Sequence, residues 1–327
     1  MSLTASPRTS PRGRVLGLVV ALIIVVAIAA QLRVFEGVST PAVTTASTIF
    51  IAIVVQALPF LMLGVLLSGA IIAFVPPTLW QRILPKNPAL AVPVAGCAGL
   101  ALPGCECASV PIGGALMKSG VKPAAALTFL LAAPAINPVV LASTWVAFPG
   151  QPEMMVARFV ASLAVAIMMG WLWLRFGKAE WLRPLMREHL HGATRFETFR
   201  RTATHDFLHA GGFLVIGAGV AAILDAVVPV SVMDSIADNP VLAILAMALL
   251  AVILCVCSEA DAFIAASFTQ FSPTAMLAFM VVGPMVDLKL VGMQAGIFGR
   301  RFAARFAPTT FVMAVLTSSL VGWWLLT

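Results

Sequence analysis

Five cysteines occur in this chain, and four of them fall into two Cys-x-Cys pairs: Cys105 with Cys107, and Cys255 with Cys257. Paired thiols are soft ligands that suit a soft cation or a trivalent metalloid. In an ideal helix, residues at i and i+2 point apart, so both thiols of a pair serve one site only in an extended or turned segment. Acidic residues accompany the pairs. Glu106 lies inside the first motif, Glu259 and Asp261 follow the second, and Asp287 and Lys289 sit together in Gly283-Pro284-Met285-Val286-Asp287-Leu288-Lys289. Asn137, in Ala133-Pro134-Ala135-Ile136-Asn137-Pro138, is the remaining polar candidate in an apolar stretch. The plainer readings are that the cysteines are small apolar packing residues or a four-thiol zinc site, and that Asp287 and Lys289 only neutralise each other.

The elements that must hold these residues lie in a bilayer. Apolar residues make up 61% of the 327 and charged residues only 10%, which excludes a water-soluble enzyme, a disordered chain and a short disulfide scaffold. The net charge of +7 does not mark a nucleic-acid groove: eleven of the 33 charges lie between Arg175 and Asp206, and most others flank apolar runs. Runs able to cross a hydrocarbon core occur at about 15–32, 46–75, 123–147, 154–176, 206–229, 273–298 and 303–326. The first follows a basic leader and is longer than a usual signal-peptide core, so it reads as an uncleaved anchor.

Lys and Arg stay in the cytoplasm. The leader, the loop with Arg82 and Lys86, the turn with Lys118 and Lys122, residues 177–205 and the turn with Arg300 and Arg301 therefore read as inside. The N-terminus is then cytoplasmic and the C-terminus outside. Segments 88–118 and 239–271, broken by Pro, Cys and acidic residues, must each return to the side they left, as hairpin or re-entrant elements. Prolines and Gly104 around the first motif argue against continuous helix there.

The chain also repeats itself. At an offset of 150 residues Cys105, Cys107, Pro123, Phe129 and Pro134 meet Cys255, Cys257, Pro273, Phe279 and Pro284, and Asn137 meets Asp287; at 153, Gly64 meets Gly217. The charge rule starts the two units on opposite sides. The expected fold is an all-α polytopic membrane protein with inverted-topology repeats, each carrying Cys-x-Cys on a broken or re-entrant helical hairpin, an arrangement typical of secondary transporters. Its parts are a cytoplasmic leader and first transmembrane helix (1–45), a first transmembrane repeat (46–176), a basic cytoplasmic linker (177–205) and a second repeat (206–327).

Pro103-Gly104-Cys105-Glu106-Cys107 with Pro111, Phe129 to Pro138, Cys257-Ser258-Glu259-Ala260-Asp261-Ala262-Phe263 and Gly283 to Lys289 together resemble the predicted-permease family that contains the ArsP organoarsenical efflux permeases and the YraQ-like proteins. The resemblance covers roughly residues 45 to 326. It implies a permease of the bacterial inner membrane, with members that export trivalent organoarsenicals through cysteine thiols. The arsenical branch commonly has Ser between the motif cysteines and Gly after them, where this chain has Glu106 and Ala108.

The expectation is thus a secondary exporter, not an enzyme, with no cofactor and no resident metal. Its partners are a small soft solute and membrane lipids, with no nucleic acid. Cys105, Cys107, Cys255, Cys257, Asn137 and Asp287 bind the solute near the midplane, and Glu106, Glu259, Asp261, Asp287 and Lys289 carry proton coupling. No phosphate-cradling Gly-Lys-Ser or Gly-Lys-Thr occurs. The competing readings are a carrier of a metal ion or sulfur compound, a membrane thiol-disulfide oxidoreductase working with a thioredoxin-like partner, and a non-transporting sensor.

Overall fold

The computed structural model describes residues 41–76, 84–101, 106–182, 194–227 and 239–326. The expected first span, Cys105, Arg82, residues 183–193 of the linker and the outer loop 230–238 lie outside them. The helices are α1 (Pro41–Phe74), α2 (Pro88–Cys97), α3 (Glu106–Lys118), α4 (Pro123–Ile136), α5 (Pro138–Ala147), α6 (Pro152–Phe176), α7 (Arg195–Val227), α8 (Pro240–Leu254), α9 (Asp261–Ser267), α10 (Pro273–Val282), α11 (Leu288–Ile297) and α12 (Arg300–Leu325). Short 3₁₀ turns follow α2 and α6, and the described residues contain no strand.

Proline starts helices here more than it breaks them. Six helices, α2, α4, α5, α6, α8 and α10, begin on a proline in their first two positions, where its missing N–H costs nothing. Asn87, Asn137, Asn239 and Ser272 cap four of them by accepting from backbone N–H groups of the first turn. Pro111 departs from the expected irregular backbone around the first motif, since α3 runs through it from Glu106 to Lys118. α7 begins at Arg195, ahead of the expected 206, because Thr194 Oγ1 caps the Glu197 N–H and Glu197 pairs with Arg200 and Arg201 at helical spacing.

Four stretches, Thr44–Phe74, Pro123–Ala147, Pro152–Phe176 and Arg300–Leu325, are long and apolar enough to cross a membrane. Residues 123–147 divide at Asn137 into α4 and α5. Residues 273–298, which read as one crossing, form two ten-residue helices parted at Gly283–Asp287. Each half is about 15 Å long, about half the hydrocarbon thickness. Outward faces are apolar: Val55, Leu63, Trp145, Leu316, Leu320, Trp323 and Trp324 are all exposed. Glu106, Arg158, Asp261, Asp287 and Lys289 are buried inside, and an apolar exterior of this kind belongs to a multi-pass protein solvated by lipid.

α4 and α10 form the centre and are buried along nearly their whole length. α2, α3 and α6 pack on α4, and α8, α9 and α12 pack on α10. The arms α2 and α3 of the first expected hairpin thus both lie against α4. The long helices pair, α1 with α7 and α6 with α12, while α3 meets α11 and α5 meets α9.

Two glycines permit close approaches of one helix backbone to another. A Cβ on Gly64 of α1 would stand 2.6 Å from Ala108 Cα, and one on Gly217 of α7 would stand 2.5 Å from Lys289 Cα. Both contacts set the residues next to the acidic cluster described below. Gly217→Val is expected to lower the thermal midpoint of the detergent-solubilised protein by separating α7 from α11. Gly219→Ala, on the same helix with no atom within 4 Å of the new Cβ, should leave it unchanged.

Candidate functional site

Three of the four acidic candidates share one structural position. Glu106 and Asp261 open α3 and α9, and Asp287 is the N-cap of α11, where its Oδ1 accepts from the Leu290 N–H at 2.6 Å. Helix N-termini carry unpaired N–H groups and a positive dipole end, so carboxylates are stabilised there. Asn137 occupies the equivalent place on α5, accepting from the Val140 N–H at 3.0 Å and donating to the Ala133 carbonyl at 3.1 Å. Its amide therefore serves the break between α4 and α5.

Two cations join these carboxylates. Lys289, the second residue of α11, lies 2.5 Å from Glu106 Oε1 and 3.4 Å from Asp287 Oδ2, and donates to the Cys255 carbonyl at 2.9 Å. Arg158 of α6 binds Asp261 Oδ2 at 2.7 Å, the Ser258 carbonyl at 3.2 Å and Thr144 Oγ1 at 2.8 Å. Ser258 Oγ lies 3.4 Å from Glu106 Oε2 and links the two groups. Glu106, Arg158 and Asp287 are wholly buried, and Asp261 and Lys289 are 1% exposed. Ionised groups at this depth survive only when paired and hydrogen-bonded.

Glu259 lies in the same turn, partly buried and within electrostatic range of Glu106, Lys289 and Arg158. Four carboxylates thus face two cations. Glu259 Oε2 and Asp261 Oδ1 have no hydrogen-bond partner among the described residues. A site with surplus acid and spare acceptor atoms can take up protons.

The thiols flank this cluster. Cys107 follows Glu106 on α3, Cys255 and Cys257 lie in the turn between α8 and α9, and all three are buried. Lys289 is within electrostatic range of both Cys107 and Cys257. Cys255 is the only described residue other than glycine with positive φ (49°), a conformation costing about 1–3 kcal/mol in an L residue. Its Sγ approaches the Val252 carbonyl at 3.3 Å. Cys97 is exposed and away from the cluster. Among the described residues, no group of three or more His, Cys, Asp or Glu side chains is arranged to hold a metal ion.

Arg158, Thr144 and Ser258 were not among the sequence candidates. Arg158 could have been found, because it lies in the apolar run 154–176, well before the basic cluster that begins at Arg175. Thr144 and Ser258 carry no such signal, since both residue types are ordinary in membrane helices.

The architecture and the buried ionic centre define an all-α, multi-pass membrane protein with a polar interior. The chain belongs to the predicted permease family of the ArsP type, whose profile matches residues 42–323. It is 39% identical to the UPF0718 protein YcgR of Bacillus subtilis over 84% of this chain and 96% of that protein. It is 35% identical to a Streptococcus mutans protein named "Putative two-component membrane permease complex subunit", over 84% of this chain and 94% of that one. No solved structure matches the chain significantly. Family membership indicates a membrane permease.

Removing one partner of a buried ion pair leaves the other charge stranded, at a cost of about 3–5 kcal/mol, whereas neutralising both is far milder. Lys289→Met should therefore sharply reduce the thermal midpoint and folded yield in detergent. Adding Glu106→Gln should recover much of both, leaving Asp287 as the remaining unpaired acid.

Proposed function

We propose that the chain is a secondary permease of the bacterial inner membrane that exports a small soft solute, such as a trivalent organoarsenical or another thiol-reactive compound, in exchange for protons. The observation that carries this reading is the meeting of thiols, surplus carboxylates and broken helices at one buried place. Cys107, Cys255 and Cys257, with Cys105, supply the solute ligands. Glu106, Glu259, Asp261 and Asp287 supply proton acceptors, and Lys289 competes with the incoming proton or solute for them. Asn137 and Asp287 hold the two helix breaks in the shape the site needs.

Alternating access follows from two inverted halves, α1–α6 and α7–α12. The reading is supported by the order of elements: a long helix, two shorter helices flanking a cysteine motif, a divided pair and a long helix occur twice. Packing partners support it too. α3 of the first half meets α11 of the second, and α5 meets α9, which are the crossed contacts a pseudo-two-fold axis requires. The N-terminus then lies in the cytoplasm and the C-terminus outside. A thiol-disulfide oxidoreductase fits less well, because Cys107 and Cys257 are buried beyond the reach of a soluble thiol protein. The Streptococcus mutans relative's name favours a second membrane subunit as partner.

The test is uptake by everted membrane vesicles of a panel of trivalent phenylarsenicals, soft metal ions and organothiols. Flux of one class is expected in vesicles carrying the wild-type chain, with a loss of about tenfold or more when Cys105, Cys107, Cys255 and Cys257 are all replaced by Ser. Asp287→Asn should abolish the dependence of that flux on a proton gradient. Flux unchanged in the four-Ser variant removes the thiols from the site.

A further inference from the structure

The second cysteine motif lies outside regular helix. α8 ends at Leu254 and α9 begins at Asp261, so the segment between them must satisfy its backbone polar groups from elsewhere. Two of its carbonyls are held by the buried cations: Lys289 holds that of Cys255 and Arg158 that of Ser258. These two attachments differ in kind. Lys289 belongs to α11, on the same half of the chain as the turn. Arg158 reaches it from α6 in the other half, and its guanidinium also takes Asp261 Oδ2 and is braced by Thr144 of α5.

We infer that Arg158 is a positioning residue that latches the Cys255–Asp261 turn of the second half onto the first, and that release of this latch is the step exposing the second thiol motif. Three features favour a latch over a passive brace. The turn contains the strained residue Cys255, so its bound conformation is held from outside rather than by its own preference. Asp261 keeps a second oxygen without a hydrogen-bond partner, and Arg158 Nε is likewise unpartnered, so neither side of the contact is saturated. The guanidinium also bonds the turn at two points, side chain and backbone, and among the described residues these are the shortest bonds from the turn to the first half, the other being the 3.4 Å contact of Ser258 Oγ with Glu106.

The inference deepens the permease reading through Cys257 as a site thiol, yet its test needs no transport and can fail separately. Cys257 is made the sole cysteine by replacing Cys97, Cys105, Cys107 and Cys255 with Ala, and the rate of its reaction with N-ethylmaleimide is measured in proteoliposomes. Asp261→Asn is expected to speed labelling about tenfold or more. Arg158→Lys, which keeps the charge but loses the planar fork, should fall between. Because single neutralisation leaves a buried charge that can unfold the protein, the deciding variant is Arg158→Met with Asp261→Asn, which strands none.

The latch predicts that this double variant keeps the parent's thermal midpoint and still labels fast. A cysteine introduced as Ala126→Cys, in the separate apolar cluster of α2, α3 and α4, should stay slow in the same double-variant background with Cys257 also replaced. Labelling of Cys257 at the parent rate in the folded double variant overturns the inference. So does equal acceleration at position 126, which means general loosening, and so does failure of the double variant to fold, which makes the pair a folding requirement.

Discussion

The constraint on which the rest of this structure depends is the burial of its charged centre. A charge or a bare carbonyl at that depth must find its partner inside the protein. The core nevertheless holds Arg158, Lys289, Glu106, Asp261 and Asp287, together with backbone broken, among the described residues, at Asn137, between Leu254 and Asp261, and between Val282 and Leu288. The two facts answer each other. Breaking the helices creates N-termini that favour carboxylates and carbonyls that need donors, and the two cations complete both sets. Lys289 and Arg158 each hold one carbonyl and one or more carboxylates. An apolar core would be cheaper in free energy, since buried ion pairs rarely exceed hydrophobic replacements in stability. Their presence argues that the break points are kept for use.

The cysteine turns follow from the same constraint. In a water-soluble protein the segment from Cys255 to Ala260 could take its hydrogen bonds from solvent. Here it is held by Lys289, by Arg158 and by its own turn bonds to the Cys257 carbonyl from Ala260 and Asp261 N–H groups. Its position is therefore set by side chains on α6 and α11, and through Gly217 by how closely α7 approaches α11. Small residues are what allow backbones to approach this closely in a membrane protein.

Much of this was legible in the sequence for a physical reason: charge is so rare in the chain that every buried acid stands out against its apolar neighbours. Glu106, Asp261, Asp287 and Lys289 were visible on that ground alone. What the sequence hid was direction. Asp287 and Lys289 are two apart, which on a regular helix separates them. The extended backbone of the cap (φ −137°, ψ 169°) turns them to within 3.4 Å. Proline misled at one place, since Pro111, read as a mark of irregular backbone, lies within α3. Arg158 was missed because a single charge early in a long apolar run looks like an interfacial residue until the fold shows what lies opposite.

On the reading of two inverted halves, the division of charge between them explains why neither stands alone. The first half contributes Glu106 and Arg158, and the second contributes Asp261, Asp287 and Lys289. In the two closest buried ion pairs, Glu106 with Lys289 and Arg158 with Asp261, each partner comes from a different half. In a perfectly symmetric pair of halves each cross-half ion pair would occur twice, whereas Glu106–Lys289 and Arg158–Asp261 each occur once. Asn137 opposite Asp287 is one such departure from symmetry, and a cation on α6 with Pro308 near the matching place on α12 is another. On that reading the two halves differ in charge at the point where they meet. The difference leaves the interface tied by bonds that a proton or a competing ligand can exchange, unlike the apolar packing around it.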